Sequence, residues 1–383
     1  MLILKDKKEC CGCYACYNIC PKECIIMKID DEGFWYPSID ENKCINCNLC
    51  EKVCPIINNP QNSLYKEKSY AAFNKDEKIR LKSSSGGIFS LLAEYVINNN
   101  GNVYGATFDE NFNVKHIKIN KLQDIKLLRG SKYVQSKISD VFKSVKIDLN
   151  KNILVLFTGT PCQVAGLQSF LQKKYDNLIL MDIVCHGVPS PLVWQRYIND
   201  LRKKYNQDIK KINFRDKSTG WKQYSINFLF DKKEYKKFAF EDGYMNCFLN
   251  DIYLRPSCHS CNFKGVKRIS DITIADFWGI EKILPEIDDD KGISLVILHT
   301  DKGENLFNIL TYKMIYKEIC LNNILKYNLA IIKSANYNEK RNKFFSELRK
   351  TNNSMFLIKK YNKLKIKQKI KYKIKSIMKR III

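Results

Sequence analysis

Hydrophobic positions along the 383-residue chain fall into short alternating runs first and longer continuous runs later. Ile25 to Ile29 reads as a short strand, "DDEG" as a turn, and "FWYPSI" as a returning strand. The polar stretch from Asn58 to Ser63 reads as a linker. Beyond it, "SYAAF" predicts a strand, and "KSSSGGIFSLLAEYVINNNG" predicts a Ser/Gly loop, a helix and an Asn/Gly cap. "NVYGATF" and "NVKHIKI" alternate and predict a hairpin across "DENF". From Lys151 the pattern changes. "NILVLF" and "NLILMDIV" are continuous apolar runs, suited to strands buried on both faces. The helices "CQVAGLQSFL" and "PLVWQRYINDLRKKY" follow them in turn, the second opening on Pro191. That β-α-β-α order predicts a mostly parallel sheet, to which "SINFLF", "DITIADF" and "GISLVIL" add strands. The predicted units are 1–60, 66–148, 150–330 and a helical, Lys/Ile-rich tail over 331–383. The predicted fold class is a multidomain α+β and α/β chain.

Composition narrows the chemistry. No apolar run is long enough for a spanning helix, and "MLILKDKKECC" lacks the apolar core of a secretory signal, so a cytoplasmic protein is expected. Sixteen cysteines in a reducing compartment point to metal or redox chemistry rather than disulfides. The net charge of +25 comes mainly from Lys. No basic stripe interleaved with aromatics stands out, so a nucleic-acid partner is not expected.

The cysteines are ordered. Cys10, Cys13, Cys16 and Cys20 have the spacing C-x2-C-x2-C-x3-C before Pro21, and Cys44, Cys47, Cys50 and Cys54 repeat it before Pro55. This is the ligand run of a bacterial two-cluster ferredoxin, whose fourth cysteine ligates the other cluster. Cys10, Cys13, Cys16 and Cys54 are therefore assigned to one 4Fe-4S cluster, and Cys44, Cys47, Cys50 and Cys20 to a second. A pair of zinc knuckles is the rival reading. Cys11 and Cys24 lie outside the pattern and read as small buried residues, and Cys247 and Cys320 as structural.

Cys162 and Cys185 each follow a predicted buried strand. If those strands run parallel, both cysteines reach one edge of the sheet, where open α/β sheets place ligands. Cys162 also opens a helix, which favours a thiolate. "RPSCHSCNFKG" supplies Cys258 and Cys261. The four cysteines suit a third 4Fe-4S cluster or a structural zinc, and a ferredoxin on the same chain favours iron. His186 and His259, beside these cysteines, read either as groups supporting a ligand or as polar turn residues.

Seven segments then carry a resemblance: "SSSGG", "RGSKYVQS", "TGTPCQVAGL", "VCHGVPSP", "FRDKSTGW", "LRPSCHSCNFKG" and "SDITIADFWGI", in this order. Over residues 66 to 320 the chain resembles the beta subunit of coenzyme F420-reducing hydrogenase and dehydrogenase. The resemblance implies an iron-sulfur flavoprotein oxidoreductase with FAD, moving electrons to or from a deazaflavin or another small acceptor. It also implies cluster-ligand roles for Cys162, Cys185, Cys258 and Cys261. The alternative is a non-catalytic relay subunit beside a partner redox subunit, and a zinc-stabilised binding protein is a further rival.

For the flavin, Ser84, Ser85, Gly86 and Gly87 precede a helix whose free N–H groups suit a pyrophosphate; a Ser-capped turn is the bland reading. Arg129, Ser131, Lys132, Tyr133 and Gln135 form a polar, partly cationic run, read as flavin contacts or as a solvated connection. Asp276, Phe277 and Trp278 read as a flavin wall or as core. Arg215, Lys217 and Trp221 are candidates for an acidic substrate. No catalytic acid or base stands out. In the tail, Ile366, Ile370, Ile374, Ile377 and Ile381 fit one face of a basic helix, read as a peripheral membrane contact or as a solvated extension.

Overall fold

The fold is that of a computed structural model describing residues 6–60, 64–351 and 353–362. The proposed membrane face at Ile366 to Ile381 lies outside the described residues. Among the described residues, no helix is long and apolar enough to cross a membrane.

The N-terminal unit is built around a hairpin. Strand β1 (Ile25–Ile29) pairs antiparallel with β2 (Trp35–Ile39). The Asp30 carboxylate accepts from the backbone N–H groups of Glu32 and Phe34, which closes the turn. The short helices α1 (Ala15–Ile19) and α2 (Leu49–Lys52) each follow a cysteine loop.

Eight strands form the large sheet. They are β3 (Lys68–Asn74), β4 (Asn102–Phe108), β5 (Val114–Ile119), β6 (Val155–Gly159), β7 (Leu178–Ile183), β11 (Ile272–Asp276), β12 (Ser294–Leu298) and β13 (Met314–Ile319). Their order is β13-β3-β12-β11-β7-β6-β4-β5. The centre, β11-β7-β6-β4, is parallel, as the β-α-β-α order predicts. Antiparallel strands flank it on both sides, so the sheet as a whole is mixed. The spans 66–148 and 150–330, distinct in sequence, share this one sheet. Two short helices, α3 (Glu77–Lys82) after β3 and α5 (Ile125–Leu128) after β5, belong to its connections.

The continuous apolar runs are explained by two buried faces. Leu156, Ile179 and Met181 pack against helix α4 (Ile88–Asn98) and the helix Asp301–Leu310. Val155, Phe157, Leu178 and Leu180 face the other way, against α6 (Val141–Asn150) and α7 (Pro161–Leu171). "SINFLF" is a strand, but it is the middle of a separate sheet, β10-β9-β8, made of β8 (Ile209–Asp216), β9 (Ser225–Phe230) and β10 (Glu234–Phe238). That sheet shares an aromatic core around Trp194 with helix Pro191–Tyr205.

The N-terminal unit is packed into this body. Cys13 lies against α7, where Gly166 leaves room: a Cβ there would sit 2.7 Å from the Cys13 Cβ. Phe34 enters the core around Trp194. Gly33 (φ +87°) meets Leu192, and the buried Arg341 pairs with Glu32 while donating to the Leu254 carbonyl (2.9 Å). Gly166→Val should therefore destabilise the protein by about 1–3 kcal/mol through overpacking against Cys13. Thermal unfolding checks this, and an unchanged Tm would mean that α7 is not the seat of the cysteine loop.

Candidate functional site

The two N-terminal cysteine runs fold alike. Gly12 and Tyr14 have positive φ (69° and 70°), and so do Asn46 and Asn48 (53° and 58°) at the matching places in the second run. Left-handed residues between successive cysteines curl each loop around a common point. Cys16 has Cys10 and Cys54 among its electrostatic neighbours, and burial is the main cause of its raised thiol pKa. Cys13 in turn feels Cys16 and Cys54. Cys20, Cys44, Cys47 and Cys50 line a second hollow. Cys50 is also among the electrostatic neighbours of Cys16 and Cys54, so the two sets of thiols lie close together. Cys24 adds a thiol to the second hollow, its Sγ 3.3 Å from that of Cys20.

The third set converges at one rim of the large sheet. β6 ends at Gly159, Thr160 and Gln163 form a capping box, Pro161 opens α7, and Cys162 follows. β7 ends two residues before Cys185. Cys258 is carried by the turn Pro256–Ser260, and its sulfur accepts from the Val188 N–H (3.4 Å). The Cys261 N–H is held by Ser334 Oγ (3.0 Å). All four line one cavity of ≈ 220 Å³. Its wall also includes Cys11 from the N-terminal unit, which the sequence pattern left aside. The adjacency Cys10-Cys11 was the available signal.

Electrostatics make these thiols costly to ionise alone. Burial pushes Cys185 up to about 12 and raises Cys258 and Cys261, while Lys264 pulls Cys185 and Cys261 back. Cys162 is raised by its hydrogen bond with Cys11 and then by burial. Lys264 Nζ donates to the Cys185 and Ala330 carbonyls, and Arg268 donates to the Phe263 carbonyl (2.8 Å); both line the cavity. Iron or zinc held by Cys162, Cys185, Cys258 and Cys261 would supply that compensation, so the chemistry of the donor set fits iron-sulfur or zinc. His186 also lines the cavity and is oriented by Asp251 (2.7 Å). His259 bonds the Asn336 carbonyl (2.9 Å).

The remaining candidates occupy the same rim further along. Ser84 Oγ accepts from the Ser131 N–H (2.8 Å), and Arg215 reaches both the Ser84 carbonyl (3.3 Å) and the Tyr133 hydroxyl (3.2 Å). Gly87 (φ +85°) opens α4 with no side-chain cap, and Arg129 reaches Ser90 in that first turn (2.9 Å). These residues come together. Ser85 turns to the Ile293 carbonyl (2.7 Å), and Gly86 is pressed against Ala72 and Ser294. Lys132 Nζ caps the carbonyls of Leu128 and Gly130 (both 3.1 Å). Gln135 lies elsewhere, beside Arg255 and Gly12.

Arg215 and Lys217 have internal partners rather than facing an incoming anion. Arg215 pairs with Asp276 through both terminal nitrogens (2.6 and 2.9 Å), and Lys217 bonds the carbonyls of Arg80, Ser85 and Lys291. Trp221 donates to Asp276 (2.9 Å) and stacks on Trp278 with ring centroids 5.2 Å apart. Phe277 is core.

Two segments of the chain match known families. Residues 153–320 match the model for the C terminus of the coenzyme F420 hydrogenase/dehydrogenase beta chain, and residues 35–56 match "4Fe-4S binding domain". Residues 153–320 thus carry the C-terminal domain of the coenzyme F420 hydrogenase/dehydrogenase beta subunit family, on a chain with an N-terminal 4Fe-4S domain. A relative in Methanocaldococcus jannaschii, the coenzyme F420-dependent sulfite reductase, is 24% identical over 326 residues, 80% of this chain and 47% of its own length. The chain thus spans about half the length of that relative. An uncharacterized ferredoxin of the same organism is 40% identical over 53 residues, 14% of this chain and 68% of the ferredoxin. A solved structure of the F420-reducing [NiFe] hydrogenase complex from Methanosarcina barkeri aligns at a TM-score of 0.46 and 16% identity, covering 75% of this chain and 92% of that one. The matched beta-chain segment contains Cys162, Cys185, Cys258 and Cys261.

Asp276 is the hub of the outer rim. Asp276→Ala should cost about 3–5 kcal/mol, because it strands the buried Arg215 charge. Chemical denaturation measures the loss, and a cost near zero would mean that Arg215 has another counter-ion.

Proposed function

We propose that the chain is an electron-transferring oxidoreductase unit joining a two-cluster ferredoxin to a third iron-sulfur site and a flavin. The observation that carries this reading is the convergence of Cys162, Cys185, Cys258 and Cys261 on one cavity, with Cys11 of the N-terminal unit in the same wall. Cys10, Cys13, Cys16 and Cys54 would hold one 4Fe-4S cluster, and Cys44, Cys47, Cys50 and Cys20 the other. The four rim cysteines would hold the third. FAD would lie along the rim, its phosphates at the uncapped start of α4 near Gly87, Ser84, Ser131 and Arg129. Bound there, the clusters supply one-electron chemistry and the flavin couples it to two-electron exchange.

The chain's own residues bind, orient and exclude water. Ile56, Pro161, Val188 and Phe263 give the cavity an apolar wall that limits solvent. Lys264 and Arg268 place fixed positive charge beside the four thiols. On the outer rim, the Arg215–Asp276 pair fixes Tyr133 and the Ser84 loop, so the proposed flavin contacts are held by rigid strands. The proposed acceptor is a deazaflavin of the coenzyme F420 type or another small acceptor, with a partner redox subunit as donor or recipient; the likeness of residues 153–320 to the F420 beta subunit supports it. The relay-subunit reading shares every one of these residues and differs only in whether the isolated chain turns over.

Anaerobic purification with iron, sulfide, zinc and flavin analysis tests the reading. We expect about twelve irons and one flavin per chain, following the ligand count for three cubes. Cys162→Ala should remove about four irons and leave the N-terminal clusters intact. Stoichiometric zinc without iron or flavin would overturn the proposal.

A further inference from the structure

Arg255 is fully buried in the joint between the N-terminal unit and the large body. Its charge cannot be removed at any ordinary pH. A buried charge needs a counter-charge or an extensive set of acceptors. Among the described residues, no carboxylate pairs with it. Its donors go to neutral oxygens: Nε to the Cys10 carbonyl (2.8 Å), one terminal nitrogen to the Trp35 carbonyl (3.0 Å), the other to Gln135 Oε1 (3.3 Å). The guanidinium lies over the Tyr36 ring at 4.2 Å.

The position of this charge is more telling than its bonds. Arg255 stands between two cysteine sites. On one side it holds the backbone of Cys10, and a Cβ at Gly12 would be 3.0 Å from its guanidinium carbon. On the other side, its own carbonyl accepts from the Cys258 N–H (2.9 Å), so it begins the turn that carries a rim thiol. The groups that feel its charge belong to both sites: Cys10, Cys11 and Cys258, and Cys162 in the rim set. Arg255 lines neither the rim cavity nor the hollow of Cys20, Cys44, Cys47 and Cys50, and no thiol of that hollow is among the main groups that feel its charge.

We infer that Arg255 is the shared counter-cation of two iron-sulfur sites, the one at Cys10, Cys13, Cys16 and Cys54 and the one at the rim, and raises the potentials of both. This rests on the rim set being a cluster site. A cluster with four thiolates is anionic and gains negative charge on reduction, so a fixed cation within reach raises its potential. One cation placed between two such sites raises both. Two anionic clusters would in turn compensate the arginine's burial, which the neutral carbonyls do only in part. Gly12, Gln135 and Tyr36 then act as its cradle. Arg255 is a positioning residue, since it touches the backbone that carries the ligands and not the sulfur atoms.

Redox titration of the intact chain, followed by electron paramagnetic resonance, tests this. In Arg255→Met the potentials of two clusters should move negative together, with iron content retained. The cluster at Cys20, Cys44, Cys47 and Cys50 should stay in place as an internal reference. Arg255→Lys, which keeps the charge, should restore most of the shift even if Arg255→Met accumulates poorly. Three unmoved potentials in a fully loaded Arg255→Met overturn the inference and leave the third site standing. A wild-type count of about eight irons, two cubes rather than three, overturns the third-site reading and the shared role with it.

Discussion

Strand direction is the constraint on which the arrangement depends. Strands β3, β4, β6, β7 and β11 all point the same way, although β3 is separated from β11 by the antiparallel β12. Their C-terminal ends therefore open on one rim. The loop at Ser84, the start of α7 at Cys162, the turn at Cys185 and the end of β11 at Asp276 become neighbours from positions scattered along the sequence. Reversing one central strand would send its loop to the far edge and break the set. The buried apolar faces of β6 and β7 hold that direction, because neither strand has a polar side to offer solvent.

The second organising feature is the seat of the N-terminal unit. In a beads-on-a-string arrangement, an exposed linker would leave this unit free to sample many distances from the rim. Here the unit is fixed at three places: Cys13 against α7, Phe34 in the aromatic core around Trp194, and Glu32 on Arg341. Each contact is buried or partly buried. The result is a fixed separation between the cysteine loops and the rim cavity, which the proposed electron transfer requires.

Much of this was legible in sequence, for identifiable reasons. The eight N-terminal cysteines follow a spacing set by loop geometry alone, and the structure adds matched left-handed residues at Gly12 and Asn46, and at Tyr14 and Asn48. Cys162 and Cys185 were legible because a continuous apolar run announces a buried strand, and its end announces a rim. Cys258 and Cys261 joined them through a motif rather than a period. What stayed hidden is long-range. Arg255 meets partners 245 and 220 positions away, and Cys11 reaches the rim only because the N-terminal unit docks there. The run Arg129 to Gln135 looked like one cluster. In an extended segment, successive side chains diverge, so Ser131 and Tyr133 join the Ser84 loop while Lys132 caps a helix and Gln135 joins the Arg255 joint. "SINFLF" was correctly a strand, but nothing local says which sheet it enters.

The clasp between Glu32 and Arg341 sets an order on how the molecule comes into being. The hairpin that carries Glu32 leaves the ribosome long before its seat exists, since α7, Arg255 and Arg341 are all made later. Only when Arg341 emerges is the last of the three fastenings available, because it lies 309 positions after Glu32.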